Sequence, residues 1–278
     1  MEIPVPKMGR VTRAVFFGLL RRRAWSILGE PRSVVPGKAR CIPVASSVNQ
    51  RRKTSQEKIP QDLPLYSAQE AAHWLHLPPS TVRDWAFGRR HRGVAPVLAL
   101  ADPKSRLLSF TNLLELHVLD AIRRTHSVNW KAVGKAVGYL SREFGSKRPL
   151  LDKKMRGEGK ELFVEQYGEL ANASANERGK MKKLLGAFLD RIEWDEAGVP
   201  IRLYPFVQEP NPRAPLLIAI DPRIQFGRPC IAGTGIPTAI IAERHEAGDS
   251  VQELAEDYDR LQREIQAALD YERSPGPA

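Results

Sequence analysis

Cysteine is nearly absent from this chain of 278 residues, which has only Cys41 and Cys230. The two lie far apart in sequence, so they provide neither a disulfide framework nor the four ligands of a structural zinc site. Long apolar runs are missing too, because VFFGLL (15–20) is cut off by three arginines and a bilayer-spanning helix needs about 20 apolar residues. These absences predict a cytoplasmic protein that does not enter a membrane.

Side chains in catalytic arrangements are also scarce. His73 and His76 lack further ligands at metal-binding spacing, and no nucleophile stands beside a base. Five acidic residues lie close together in sequence: Asp249, Glu253, Glu256, Asp257 and Asp259. A metal-dependent nuclease stays open as an alternative, but acidic residues on short helices ordinarily face solvent. We therefore predict no catalytic residue, no metal site and no cofactor.

Positive charge is unevenly distributed along the chain. Residues 1–60 hold thirteen basic against three acidic residues, whereas 216–278 hold six basic against eleven acidic ones. The overall charge of +11 is therefore weak evidence for a nucleic-acid partner, and local placement matters more. Residues 1–63 show no sustained hydrophobic period, so we expect a disordered basic extension there.

The stretch SAQEAAHWLHLPPSTVRDW (67–85) predicts two helices joined by a tight turn. Ser67 and Glu70 form a capping box that begins the first helix. Pro78 and Pro79 end that helix and suit the start of the next, whose buried face carries Val82. A plain helical hairpin with a solvated face remains the alternative to a DNA-reading helix-turn-helix.

The second helix directs short hydroxyls and one guanidinium outward. These groups, on Ser80, Thr81 and Arg83, can hydrogen-bond to base edges and phosphates. A basic segment, GRRHRGV (88–94), follows, and then strands are predicted at 95–100 and 107–110 around a turn at 101–106. Together these segments predict a basic hairpin, or wing. The cations expected to contact DNA phosphates are Arg89, Arg90, Arg92 and Lys104.

Residues 65–85 and RLLSFTNLLELHVLDAIR (106–123) resemble the winged DNA-binding domains of MerR-like regulators, and more closely those of VapB-type antitoxins. The resemblance implies operator DNA as a partner and a homodimer. A helix from Ser109 to about Thr125 and another from Trp130 would complete this domain, which we place at 64–141.

The middle segment, 142–215, gives a less specific pattern. LFVEQYGELANA (162–173) predicts two strands around a turn at Gly168, and residues 176–194 predict an amphipathic helix. Another strand is predicted at 198–207, and EPNPRAP (209–215) has the composition of a linker.

The last segment, 216–278, predicts a buried strand, a compact loop and three short helices. It resembles a small trihelical domain of unknown function that is often encoded beside PIN-like toxins. The residues that carry the resemblance are Ile224, Gly227, Pro229, Ile231, Gly233, Thr234, Ile236, Pro237, Gly248, Ser250, Glu253, Leu254, Ala255 and Tyr258. Gly235 departs from it, because many relatives have arginine there.

The fold expected from these patterns is mainly α with small β-hairpins (α+β), with a winged helix-turn-helix before a trihelical, homeodomain-like module. The resemblances imply an antitoxin that binds operator DNA and neutralises a PIN-like ribonuclease toxin. Since PIN-like active sites gather carboxylates, the loop cations Arg223 and Arg228 are the candidate toxin contacts. A MerR-like regulator without a toxin is the alternative within the same class.

Overall fold

The computed structural model describes residues 61–88, 95–125, 128–208 and 210–274, which all belong to one compact unit, Ser55–Ala278. The extension predicted at 1–63 thus lies outside the described residues, apart from 61–63. In chain order the described helices are α1 (Ala68–Trp74), α2 (Pro79–Phe87), α3 (Phe110–Arg123), α4 (Trp130–Phe144), α5 (Lys160–Ala171), α6 (Ala175–Leu189), α7 (Thr238–Glu246), α8 (Val251–Asp257) and α9 (Gln262–Arg273). The strands are β1 (Ile192–Trp194), β2 (Pro200–Leu203), β3 (Ile218–Ala219) and β4 (Cys230–Ile231).

The predicted class, mainly α with small antiparallel strand pairs, is confirmed for these ranges, where β1 pairs with β2 and β3 with β4. None of the helices in the described ranges is long and apolar enough to cross a membrane.

The two helices predicted at 67–85 are present. The Ser67 hydroxyl accepts a hydrogen bond from the Glu70 amide at 3.1 Å, and the Glu70 carboxylate accepts one from the Ser67 amide at 2.8 Å. This reciprocal capping box begins α1, as predicted. After the turn, Pro79 occupies the first position of α2, where its missing amide hydrogen costs nothing.

The hairpin predicted for the wing is wrong, because residues 95–100 form no strand. Pro96 has no amide hydrogen, and the amides of Val97 and Leu98 donate to the Trp85 carbonyl at the end of α2. Leu108 pairs instead with Tyr66, through hydrogen bonds of 2.9 and 2.7 Å. The returning segment therefore pairs with the residues that precede α1.

The predicted helices after this segment are confirmed. Ser109 caps α3 together with Asn112, and Asn129 caps α4. All residues of α3 from Phe110 to Ile122 are buried, so this helix is the centre of the larger hydrophobic cluster.

The strand pair predicted at 162–173 is wrong, because residues 162–171 lie in α5, which Asn172 ends in a left-handed conformation. Phe163, Val164 and Tyr167 are buried at helical spacing. Gly168 lies within this helix and not in a turn. It permits the close approach of the Arg178 side chain, because a Cβ at this position would lie 2.5 Å from Cδ of Arg178.

The helix predicted at 176–194 ends earlier, at Leu189, and residues 192–194 form β1. The strand predicted at 198–207 is present in part, as β2. Between them, Arg191 turns the chain inward and is almost fully buried. Its guanidinium donates hydrogen bonds to four carbonyls, those of Tyr204 (2.8 Å), Pro205 (3.1 Å), Ala214 (2.7 Å) and Pro215 (3.4 Å).

The C-terminal segment has its own hydrophobic cluster, and the three helices predicted there are present as α7, α8 and α9. Ile218, Ile231, Ile241 and Leu254 are completely buried in this cluster. Ile220 belongs to the larger cluster and exchanges two backbone hydrogen bonds with Leu203, at 2.9 and 2.8 Å.

We expect Arg191→Met to lower the free energy of unfolding by about 3 kcal/mol in urea denaturation, because buried carbonyls would lose their donors. Arg156→Met is the matched control. The Arg191 guanidinium lies over the Phe206 ring, with its Cζ 4.5 Å from the ring centroid. The Arg156 guanidinium likewise lies 4.6 Å from the centroid of Trp194, but it is exposed, so its loss should cost under about 1 kcal/mol. Equal losses would assign the effect to ring stacking and not to the carbonyls.

Candidate functional site

The outward face of α2 carries the side chains that the sequence predicts for DNA. Val82, Trp85 and Ala86 are buried, which turns Ser80 and Arg83 to solvent. The Trp85 ring lies 4.6 Å from the ring of Trp130 at the start of α4 and fixes the rotation of α2 about its axis. Thr81, also predicted as a contact, is only partly exposed, so Ser80 and Arg83 are the accessible groups.

The segment after α2 returns beside the end of that helix. Lys104 is exposed, and its amide donates to the Asp102 carboxylate at 2.9 Å, which shapes the turn. The guanidinium of Arg106 lies 4.4 Å from the centroid of the Phe87 ring, in the last turn of α2. Arg106 was not predicted as a site residue, and its adjacency to the predicted strand gave no sign of this contact. Three of the predicted contacts, Arg89, Arg90 and Arg92, lie outside the described residues.

The C-terminal loop, residues 221–228, is built from consecutive tight turns. The Ile224 amide donates to the Asp221 carbonyl and the Gly227 amide to the Ile224 carbonyl, both at 2.9 Å. Gly227 has a φ of +76°, and a Cβ here would lie 2.0 Å from the hydroxyl oxygen of Tyr66. Glycine is therefore required by both conformation and space, which explains this position of the predicted motif.

The two loop arginines differ in their surroundings. Arg223 binds Asp221 with two nitrogens, at 2.9 and 2.7 Å, and Arg202 binds the same carboxylate at 3.0 Å. Burial alone would raise the pKa of Asp221, but the hydrogen bonds from Arg223 and Arg202 hold it below its ordinary value. Arg228 is exposed and forms no side-chain hydrogen bond or ion pair with the part of the chain that the structure describes.

Phe226, between these arginines, is 80% exposed. Sequence reasoning missed it, because an aromatic residue in a compact loop is ordinarily assigned to the core. Its place between polar Gln225 and a motif glycine does not distinguish an exposed ring from a buried one.

Hydrogen bonds join α1 and the turn after it to α9, and we call this contact the seam. The Tyr271 hydroxyl donates to the Trp74 carbonyl, and His76 Nε2 donates to the Tyr271 carbonyl at 2.8 Å. His73 Nε2 binds the Glu272 carboxylate at 2.8 Å, and the same carboxylate accepts a hydrogen bond from Thr238. The hydrogen bond with Glu272 raises the pKa of His73, whereas burial lowers that of His76.

Three of the five acidic residues considered for a nuclease form structural contacts. Asp249 and Asp257 both bind Arg244 at 2.6 Å, and Glu253 completes the capping box of α8 with Ser250. Within the described ranges, no three or more His, Cys, Asp or Glu side chains are placed to hold a metal ion.

Comparison with known proteins adds to this geometry. Residues 218–271 match a family model described as "Protein of unknown function (DUF433)", in agreement with the sequence motif. The chain is 27% identical to "Putative antitoxin VapB45" of Mycobacterium tuberculosis, over 75% of this chain and 94% of that protein. This chain is similar to a VapB-type antitoxin. It shares its fold with the crystal structure of Rv2018 from M. tuberculosis, with a TM-score of 0.58 and 22% identity, over 75% of this chain and 98% of that one.

The seam should make stability depend on pH through His73. A raised folded-state pKa stabilises the fold fully below the unfolded value, near 6.5, and this contribution disappears as the pH rises through the folded value. His73→Gln keeps a neutral donor for Glu272. We therefore expect urea midpoints of parent and variant to differ most near pH 5.5 and to converge by about pH 8.5. An equal difference at both pH values would show that the charge of His73 contributes nothing.

Proposed function

We propose that the chain is an antitoxin that binds operator DNA through α2 and neutralises a PIN-like ribonuclease toxin through loop 221–228. The observation that carries the proposal is the similarity to the protein named as a VapB antitoxin, which extends over most of both chains. In this proposal the chain is a cytoplasmic regulator with no catalytic role of its own. In this proposal residues 64–141 bind DNA and residues 216–278 bind the toxin. Residues 142–215 connect these two domains.

The accessible groups on α2 support the DNA part. Ser80 and Arg83 are exposed on one helical face, and a guanidinium there can bind guanine edges or phosphates. Lys104 and the predicted contacts Arg89, Arg90 and Arg92 supply further cations for the backbone. Two copies in a homodimer would present two such faces to two half-sites.

Charge supports a protein partner for the C-terminal segment. Residues 216–278 hold six basic against eleven acidic residues. The resulting negative charge would repel the phosphates of a nucleic acid. Arg228 is the exposed loop cation without a side-chain partner among the described residues, so it is the better candidate to enter a carboxylate cluster on the toxin. Arg223 has the weaker case as a direct contact, because Asp221 already binds both of its guanidinium ends.

The DNA part is tested with the intergenic DNA upstream of the coding sequence. We expect Arg83→Ala to weaken binding of the full chain by about 1–3 kcal/mol, because one cation leaves the interface, without changing the melting temperature. Arg263→Ala, which removes another exposed arginine, on α9, should leave affinity unchanged. Unaltered affinity with Arg83→Ala would remove α2 from the interface.

The toxin part is tested with the protein encoded by the neighbouring reading frame. We expect Arg228→Ala to weaken its binding by about 2 kcal/mol and to restore part of its ribonuclease activity, because the carboxylates lose their counter-charge. Arg223→Ala should chiefly lower stability, since buried Asp221 loses one partner. Full neutralisation by both variants and by the double variant would place the contact elsewhere. A regulator without a toxin would bind DNA but would not bind the protein encoded by the neighbouring reading frame.

A further inference from the structure

Phe226 has the most exposed of the large hydrophobic side chains in the described ranges. Other exposed apolar side chains, such as Ile240 at 41% and Leu261 at 54%, are less exposed than Phe226. An isolated exposed hydrophobic residue is ordinary in a soluble fold. The backbone around Phe226, however, is unusual.

Three consecutive residues have left-handed φ angles: Gln225 (+49°), Phe226 (+56°) and Gly227 (+76°). Glycine adopts this region without strain, but a bulky aromatic residue rarely does. Surrounding hydrogen bonds maintain the conformation, since the Arg228 amide donates to the Gln225 carbonyl and the Gln225 side chain donates to the Gly235 carbonyl, both at 3.2 Å. The strained backbone thus keeps the phenyl ring in solvent, and strain of this kind concentrates at binding sites.

The space beneath the loop is already filled. Tyr66 packs against Gly227 so closely that a Cβ on that residue would clash with its hydroxyl oxygen. That hydroxyl is buried and has no hydrogen-bond partner in the described structure. The ring of Phe226 therefore has no vacant core position beside Tyr66 into which it could fold, and its exposure is a property of the loop.

The neighbours of Phe226 indicate the chemistry of its partner. Arg228, two residues away, is exposed without a side-chain partner among the described residues. Aromatic and arginine side chains dominate the binding energy of protein interfaces. An apolar ring in an acidic segment suits a protein pocket and not a phosphate backbone.

We propose that Phe226 is the anchor of the toxin interface: its ring enters an apolar pocket of the toxin, beside a carboxylate that binds Arg228. This inference rests on the proposed antitoxin function and adds an apolar contact to the charged contact of Arg228. Hydrogen bonds already hold the loop backbone, which lowers the entropy lost when the loop binds.

The test measures, by calorimetry, binding of the full chain to the purified protein of the neighbouring reading frame. Phe226→Asn removes the ring but tolerates a left-handed backbone, so the loop keeps its shape. We expect at least a 30-fold weaker affinity with a melting temperature equal to or above that of the parent. Phe226→Tyr should retain affinity within about five-fold, because it keeps the ring.

Ile240→Ala is the matched control, since it truncates an exposed apolar side chain on α7. We expect its affinity to equal that of the parent. Parent-like affinity in Phe226→Asn, or an equal loss in Ile240→Ala, would overturn the anchor while leaving the antitoxin function standing. A parent chain that does not bind the neighbouring protein would overturn the proposed function, and the anchor with it.

Discussion

The hydrogen bonds of Arg191 to four carbonyls fix the path of the chain between β2 and β3. This path is rich in proline and forms no regular structure over most of its length, so its carbonyls need donors from elsewhere. One guanidinium supplies donors to four of them, and its Cζ lies 4.5 Å from the centroid of the Phe206 ring. With this path fixed, Ile220 reaches Leu203 and joins the larger cluster, while Ile218 begins the smaller one. The placement of the C-terminal helices therefore depends on a buried charge beneath the segment that links them to the rest.

Tyr66 and Tyr271 extend this dependence to the two candidate surfaces. The backbone of Tyr66 pairs with Leu108, and its ring supports Gly227 in the C-terminal loop. Tyr271 reaches in the opposite sense, from α9 to the last residue of α1. Its burial raises the pKa of its hydroxyl, which stays a protonated donor to the Trp74 carbonyl. Both tyrosine side chains are buried. They connect the C-terminal segment to the residues of and just before α1, even though the two parts lie about 150 residues apart in sequence.

The starts of three helices were predicted correctly, because short-range interactions along the chain determine them. The capping boxes at Ser67 and Ser250 and the proline at the start of α2 each act within four residues, and the structure has all of them. The errors fall where a distant partner decides. Residues 95–100 lack a strand, and the amides of Val97 and Leu98 bond to Trp85 of α2. Gly168 lies within α5, where the absence of a side chain leaves room for Arg178. Neither distant neighbour is visible in the sequence of the segment itself.

The candidate loop shows the same limit at the level of single side chains. Composition and motif identified its glycine and its two arginines, but treated the arginines as equivalent. The spacing of Asp221 and Arg223 could have indicated their ion pair, whereas the second arginine on Asp221 comes from β2 and could not. The exposure of Phe226 follows from three successive backbone angles and from the ring of Tyr66 beneath the loop, which no local pattern encodes. Because Asp221 binds one arginine and an aromatic ring is exposed to solvent, the contact that we propose for this loop changes from charge alone to apolar contact oriented by one cation.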